Sequence, residues 1–204
     1  MIATRARTPD TTEPLRRIRL VELLAGIEPW DDAERADIVG TAEWIADGEP
    51  LYRTQKPDVP AKHLVSYFVM LDEDRGELLL VAHRKAGLWL PAGGHVEPAE
   101  HPWDTVAREC REELGISAVP STLTGDRPFF LTVTTTRGFG QHTDVSFWYV
   151  LRADRETIVS YDEEEFSAIR WVTPGDVLAE PADTLDPQLH RFAAKLLAAL
   201  DRTG

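Results

Sequence analysis

Residues 93–116, GGHVEPAEHPWDTVARECREELGI, constrain this chain more than any other stretch. Pro102 suits the first position of a helix, and Gly115 suits the position just past its end. At about 100° per residue, Trp103, Val106, Ala107, Cys110 and Leu114 form an apolar stripe that requires a sheet to pack on. Glu109, Glu112 and Glu113 form a second stripe about 120° away, close enough together for their carboxylates to converge. Like charges at this spacing cost an isolated helix a few tenths of a kcal/mol each, roughly, so their presence asks for a compensating cause.

The flanking sequence supplies the packing surface. HLVSYFVML and ELLLVAHR, separated by DEDRG, read as a β-hairpin, and GLWLP reads as a short strand that PAGG breaks into a loop before a helix near 102–114. Further strands are expected near 128–136, 143–152 and 166–172, the first two joined by RGFGQ. Thr173 and Pro174 suit the start of a short helical turn. A terminal helix begun by Asp186 and Pro187 carries Leu189, Phe192, Leu196, Leu197 and Leu200 on one side. Upstream, residues 1–12 are polar and expected to fray, and helices are expected near 14–26 and 31–47, the second capped by Asp31 or Asp32 and closed by Gly48. RTQKPDVPAK connects them to the first strand. This order reads as α/β, with a tail and helical extension over 1–60 and one α/β domain over 61–204.

Charge narrows the partners. With 22 basic against 35 acidic residues the net charge is −13, which repels duplex nucleic acid unless a basic stripe overcomes the field. Arg16, Arg17 and Arg19 cluster, but Leu15, Ile18, Val21, Leu23 and Leu24 interleave with them as on a solvated amphipathic helix. No run of 18 apolar residues exists to span a membrane, and the N-terminal segment has no secretory pattern. A lone Cys110 cannot form an internal disulfide, so a cytoplasmic location is the expectation.

Two chemistries suit the acidic stripe. One is a solvated face in which Arg108 pairs with Glu112 and Glu113. The other is coordination of a divalent cation, and oxygen donors favour Mg²⁺, with Mn²⁺ as a substitute, over Zn²⁺. Mg²⁺ is commonly shared with substrate phosphates, which points to phosphoryl or pyrophosphoryl chemistry. Gly93 and Gly94 allow the backbone to approach a ligand, and a carbonyl there, taken as that of Gly94, adds a metal donor.

The whole stretch resembles the box of the Nudix hydrolases, G-x5-E-x7-R-E-U-x-E-E-x-G-U with U a bulky aliphatic residue, as in MutT-like members. Gly94, Glu100, Arg108, Glu109, Glu112, Glu113 and Gly115 fill all seven fixed positions, and Ile116 fills the last aliphatic one. Cys110 stands where the family usually has Ile, Leu or Val, and His101 stands where a Ser or Thr cap is common. The resemblance implies an α/β/α sandwich with a mixed curved sheet. It also implies that Glu109, Glu112 and Glu113 bind catalytic Mg²⁺, that Arg108 orients them and that Glu100 pairs with Arg108. Family members often recruit another acid from a loop before a late strand; here Glu163, Glu164 and Glu165 qualify, with Glu165 preferred as ligand or base.

The implied activity is hydrolysis of a diphosphate linkage in a nucleoside triphosphate or a nucleoside diphosphate derivative. Phe130 is the expected base-stacking residue, among Phe129, Phe139, His142, Trp148 and Tyr149, although strand aromatics also serve as core. Arg84 and Lys85 could meet phosphates. The proline and tyrosine that mark the family's ADP-ribose and diadenosine-polyphosphate subgroups are not matched at their spacing beyond the box. A regulatory module without turnover and an isopentenyl-diphosphate-isomerase-like enzyme are the rival readings; the second needs Cys110 in the pocket. A homodimer is an expectation, because the apolar helical arm needs a partner surface.

Overall fold

The computed structural model describes residues 12–55, 59–136, 141–158 and 160–203. The expected polar tail through residue 11, and Phe139 with most of its turn, lie outside them. The elements run α1 (Glu13–Ala25), α2 (Asp32–Ala46), β1 (Lys62–Asp72), β2 (Glu77–His83), β3 (Leu88–Leu90), β4 (Ala92–His95), α3 (Pro102–Leu114), β5 (Phe130–Thr135), β6 (Thr143–Arg152), β7 (Phe166–Val172), α4 (Pro174–Ala179) and α5 (Leu189–Thr203).

The strands form one mixed sheet in the order β3-β2-β1-β6-β5, with β4 paired to β1 and β7 paired to β2. β1 runs parallel to β6 from Lys62↔Thr143 to Leu71↔Arg152, and its other pairings are antiparallel. The β1–β2 hairpin exists, but its register covers only Leu71↔Leu78 and Asp72↔Glu77. The other end of β1 pairs with β4 instead, from Val65↔His95 to Phe68↔Ala92. PAGG beyond Pro91 is therefore strand, not the expected loop: its glycines give it little β-propensity, and pairing with a long buried neighbour overrides that.

Period-2 alternation divides the core between the two faces. Leu64, Phe68 and Met70 of β1 join Leu79, Val81, Phe147 and Tyr149 beneath Val106, Cys110 and Leu114 of α3. Val69, Leu71, Leu78, Leu80, Trp148 and Val150 face the other way, onto Leu189, Phe192 and Leu196 of α5. Thr173 and Asp176 form a reciprocal capping box at α4. No helix among the described residues is long and apolar enough to cross a membrane.

The N-terminal helices cover the sheet. Leu20, Leu24 and Ile45 join the α3-side core, whereas Leu15 and Ile18 of the expected apolar face are 58% and 54% exposed. Arg17 donates to the carbonyls of Ile45 and Glu49, each at 2.8 Å, so it caps the end of α2. The Glu34 carboxylate, fully buried, accepts from Leu131 N at 3.1 Å, and Asp37 accepts from Val133 N at 3.2 Å. These are backbone donors of edge strand β5 that would otherwise be open to a second strand. Lys195 of α5 closes the arrangement by donating to Glu34 at 2.9 Å. The helical arm thus has a partner surface within its own chain, which removes the reason given for a dimer. Replacing Glu34 with Ala leaves the buried Lys195 charge with only the Glu28 carbonyl and the Leu131 amide without its acceptor, and the unfolding free energy measured in urea should fall by about 3–5 kcal/mol.

Candidate active site

Helix α3 is fixed at its start by His101, whose Nδ1 accepts from Trp103 N at 3.2 Å and so does the work of the usual hydroxyl cap. Ser66 Oγ of β1 donates to Pro102 O at 3.0 Å, and Gly115 adopts a left-handed φ of 68° at the other end. The stripe assignment holds: Val106, Cys110 and Leu114 are buried against the sheet. Burial pushes the Cys110 thiol up to about 12, so it is an inert core group and no pocket nucleophile.

The other stripe meets β4. A Cβ on Gly94 would sit 1.9 Å from Glu109 Oε1, and one on Gly93, at φ 148°, would sit 2.2 Å from Ser66 O. The glycines are thus required by a carboxylate and a neighbouring strand. Gly93 N donates to Glu113 Oε2 at 3.0 Å.

Arg108 is the organising cation. Its Nε and Nη2 grip the two oxygens of Glu100, both at 3.1 Å, in a bidentate pair. Nη2 also donates to His95 O at 3.2 Å, while Nη1 donates to Glu109 at 2.7 Å and to Glu112 at 3.3 Å. Burial works against the Glu100 anion, yet Arg108 and Thr105 hold its carboxyl below the usual range. Glu109 goes the other way: burial raises it, helped by the charges of Glu112 and Glu165, in spite of Arg108. Glu113, buried and without a guanidinium, is pushed up to about 9 by desolvation and then by Glu109 and Glu165, against the single Gly93 amide.

Glu165 stands in the loop before β7, close enough to affect both box glutamates. His83, which no sequence pattern marks, orients this acid. Its Nδ1 accepts from Lys85 N and Ala86 N, both at 3.2 Å, which leaves the proton on Nε2, 3.1 Å from Glu165 Oε1. Arg84 is exposed, and its Nε donates to the carbonyls of Glu163 and Phe166, bracing the same loop. A cleft of about 340 Å³ lined by His83, Arg84, Leu88, Trp89 and Ser167 opens beside it. Phe130 is not available to a base: it is fully buried, edge-on to Trp148 at 5.7 Å and Phe192 at 6.0 Å beneath α5. The same burial removes Trp148 and Tyr149. Alternation on a two-faced sheet makes strand aromatics core on either side, which no pattern within one strand can distinguish from a stacking platform.

A profile of the NUDIX domain matches residues 62–197. The chain belongs to the Nudix hydrolases. Members of this family act on phosphoric anhydride bonds, and this chain is a hydrolase of that class. It is 31% identical over 156 residues to a MutT-like protein of Streptomyces ambofaciens, spanning 76% of this chain and 89% of the relative. It is 30% identical over 127 residues to a CTP pyrophosphohydrolase of Escherichia coli, spanning 59% and 86%. The crystal structure of a MutT protein from Methanosarcina mazei shares the fold at a TM-score of 0.51 and 22% identity, covering 70% of this chain and 94% of that one.

Because the Glu113 carboxyl lies at about 9 in the folded chain against an ordinary 4.5, the native state holds an extra proton between those limits. Its stabilising effect is complete below the lower value and lost as pH rises through the upper one. In chelator, the wild-type chain should lose stability relative to Glu113→Gln as pH is raised across that window. Denaturant melts of both chains at each pH measure the difference, and a flat difference would contradict the assignment.

Proposed function

We propose that this Nudix hydrolase is a Mg²⁺-dependent pyrophosphohydrolase that cleaves a diphosphate linkage in a nucleoside triphosphate or a nucleoside diphosphate derivative. The observation that carries this is the charge balance around α3: the single guanidinium of Arg108 pairs with Glu100, Glu109 and Glu112, while Glu113 is buried without it and its carboxyl is pushed up to about 9. A hard divalent cation suits this all-oxygen donor set, and its charge would bring Glu109 and Glu113 to their anionic forms. Glu109, Glu112 and Glu113 would hold it, with the Gly94 carbonyl and Glu165 as further donors. Bound Mg²⁺ supplies Lewis acidity, lowering the pKa of water and offsetting charge on the leaving oxygens.

The chain's own groups do the rest. A glutamate, Glu109 or Glu165, accepts the proton of the attacking water as its oxygen bonds to phosphorus and the bridging P–O bond breaks towards the leaving phosphate. His83 positions Glu165 through Nε2–H, and Arg108 positions Glu109. Arg84, exposed beside the cleft with its Nε on the carbonyls of Glu163 and Phe166, is the candidate to meet a phosphate. The relative named for CTP favours a nucleoside triphosphate as the first substrate to offer.

Glu112 is the cleanest probe because its side chain is 61% exposed and its contact with Arg108 is long, so Glu112→Gln should leave the melting temperature near wild type. The same change should lower Mg²⁺-dependent kcat by roughly 10²-fold or more. Phosphate or pyrophosphate release across a panel of nucleoside triphosphates and diphosphate derivatives measures both activity and preference. A folded wild-type chain inert towards the whole panel with Mg²⁺ or Mn²⁺ would end the proposal.

A further inference from the structure

A second polar cluster lies outside the acidic helix. His63 at the start of β1, His95 at the end of β4, and His142 and Asp144 at the start of β6 each present one ligand atom, and these atoms lie within 4.8 Å of one another. His63 is fully buried, and its Nε2, together with His95 Nε2 and Asp144 Oδ1, is buried without a hydrogen-bond partner. Three such groups at one point carry an uncompensated desolvation cost unless something occupies the space between them.

The ring orientations show which atoms are on offer. His63 Nδ1 lies 2.9 Å from Pro60 O, a pure acceptor, so the proton resides on Nδ1 and Nε2 turns a lone pair inward. Thr136 Oγ donates to His142 O at 3.2 Å and accepts from His142 N at 3.1 Å, and His142 Nδ1 lies 3.2 Å from the same hydroxyl. With its one proton committed, that hydroxyl accepts from Nδ1–H, and Nε2 of His142 also turns a lone pair inward. The ring centroids stand 4.8, 5.1 and 6.3 Å apart around Asp144. Nε2 of His63 and Nε2 of His142 are each 3.3 Å from Asp144 Oδ1. That spacing is the edge of a tetrahedron about a metal with bonds of about 2.0–2.1 Å.

We propose that His63, His95, His142 and Asp144 form a zinc site distinct from the acidic cluster. Three neutral imidazoles and one carboxylate suit Zn²⁺ and disfavour Mg²⁺, the reverse of the donor set on α3. The Pro60 carbonyl and the Thr136 hydroxyl are the outer partners that fix ligand tautomers. All four positions are protein ligands, so the ion is structural: it pins the beginnings of the parallel pair β1 and β6 to the end of β4. The arrangement that competes with it is a proton shared between an imidazole and Asp144, which needs no metal.

The full chain, stripped with chelator and dialysed, is loaded with Co²⁺ or Zn²⁺ in excess Mg²⁺. We expect the intense visible bands of tetrahedral cobalt, their bleaching by Zn²⁺, one retained zinc per chain by elemental analysis, and a melting temperature raised by zinc. His142→Gln and Asp144→Asn should each lose the cobalt bands and the retained zinc, and Glu112→Gln should keep both. The wild-type spectrum decides without any variant, so a variant that misfolds does not blunt the test. Folded wild-type chain that shows no tetrahedral cobalt and retains no zinc is the proton-bridged cluster, and overturns the site. Retention that follows Glu112 instead of His142 and Asp144 also overturns it, because the ion then sits on the acidic helix.

Discussion

Electrostatic imbalance on α3 is the constraint to which the neighbouring structure answers. One guanidinium pairs with Glu100, Glu109 and Glu112, and Glu109, Glu112 and Glu113 lie in the last two turns, where the helix dipole is already negative. Arg108 spends its fork on Glu100, which leaves Glu109 with one contact and Glu113 with none. The fold places this deficit where it can persist: Cys110 and Leu114 anchor the helix in the core, Ser66 ties down its start, and Gly115 ends it cleanly. Apolar packing thus supports a face that would otherwise favour unwinding.

The N-terminal helices answer a different problem. A mixed sheet ending in β5 exposes backbone donors, and α2 meets two of them with the carboxylates of Glu34 and Asp37. Asp31 performs two tasks at once, capping α2 through Glu34 N and gripping Arg191 of α5 at 2.6 and 2.8 Å, and this pairing lowers its carboxyl to about 2. The extension is therefore joined to α5 by ion pairs and, through Leu20, Leu24 and Ile45, to the α3-side core.

Much of this was legible because the governing signals are local. Helix α3 declares itself through Pro102, Gly115 and two stripes, and the box fixes which carboxylates converge. Strands β1, β2, β6 and β7 read as apolar runs between turns. What escaped depends on contacts distant in sequence. β4 is a strand only because β1 lies beside it, and the glycines of PAGG hide that. Phe130 looked like a stacking surface because burial on the α5 side is decided by residues some sixty positions later. His83 and Glu165, 82 residues apart, share no spacing that marks them as partners. His63, His95 and His142 likewise sit on separate strand ends and show no ligand pattern until the sheet assembles.

Strand β4 is where these separate demands meet. In three consecutive residues Gly93 donates to Glu113, Gly94 makes room for Glu109, and His95 gives its carbonyl to Arg108 while its ring faces His63 and Asp144. A residue with a side chain at either glycine would collide with β1 or with the carboxylate, so the sequence is fixed by steric need on one side. On the other side His95 is pinned by register opposite Val65. Burial and the neighbouring Arg53 charge depress its imidazole to about 4, so its ring is neutral at physiological pH. The carboxylate cluster of α3 and the histidine cluster therefore both lie against this four-residue strand, and the hydrogen bond from Arg108 to His95 O links the two.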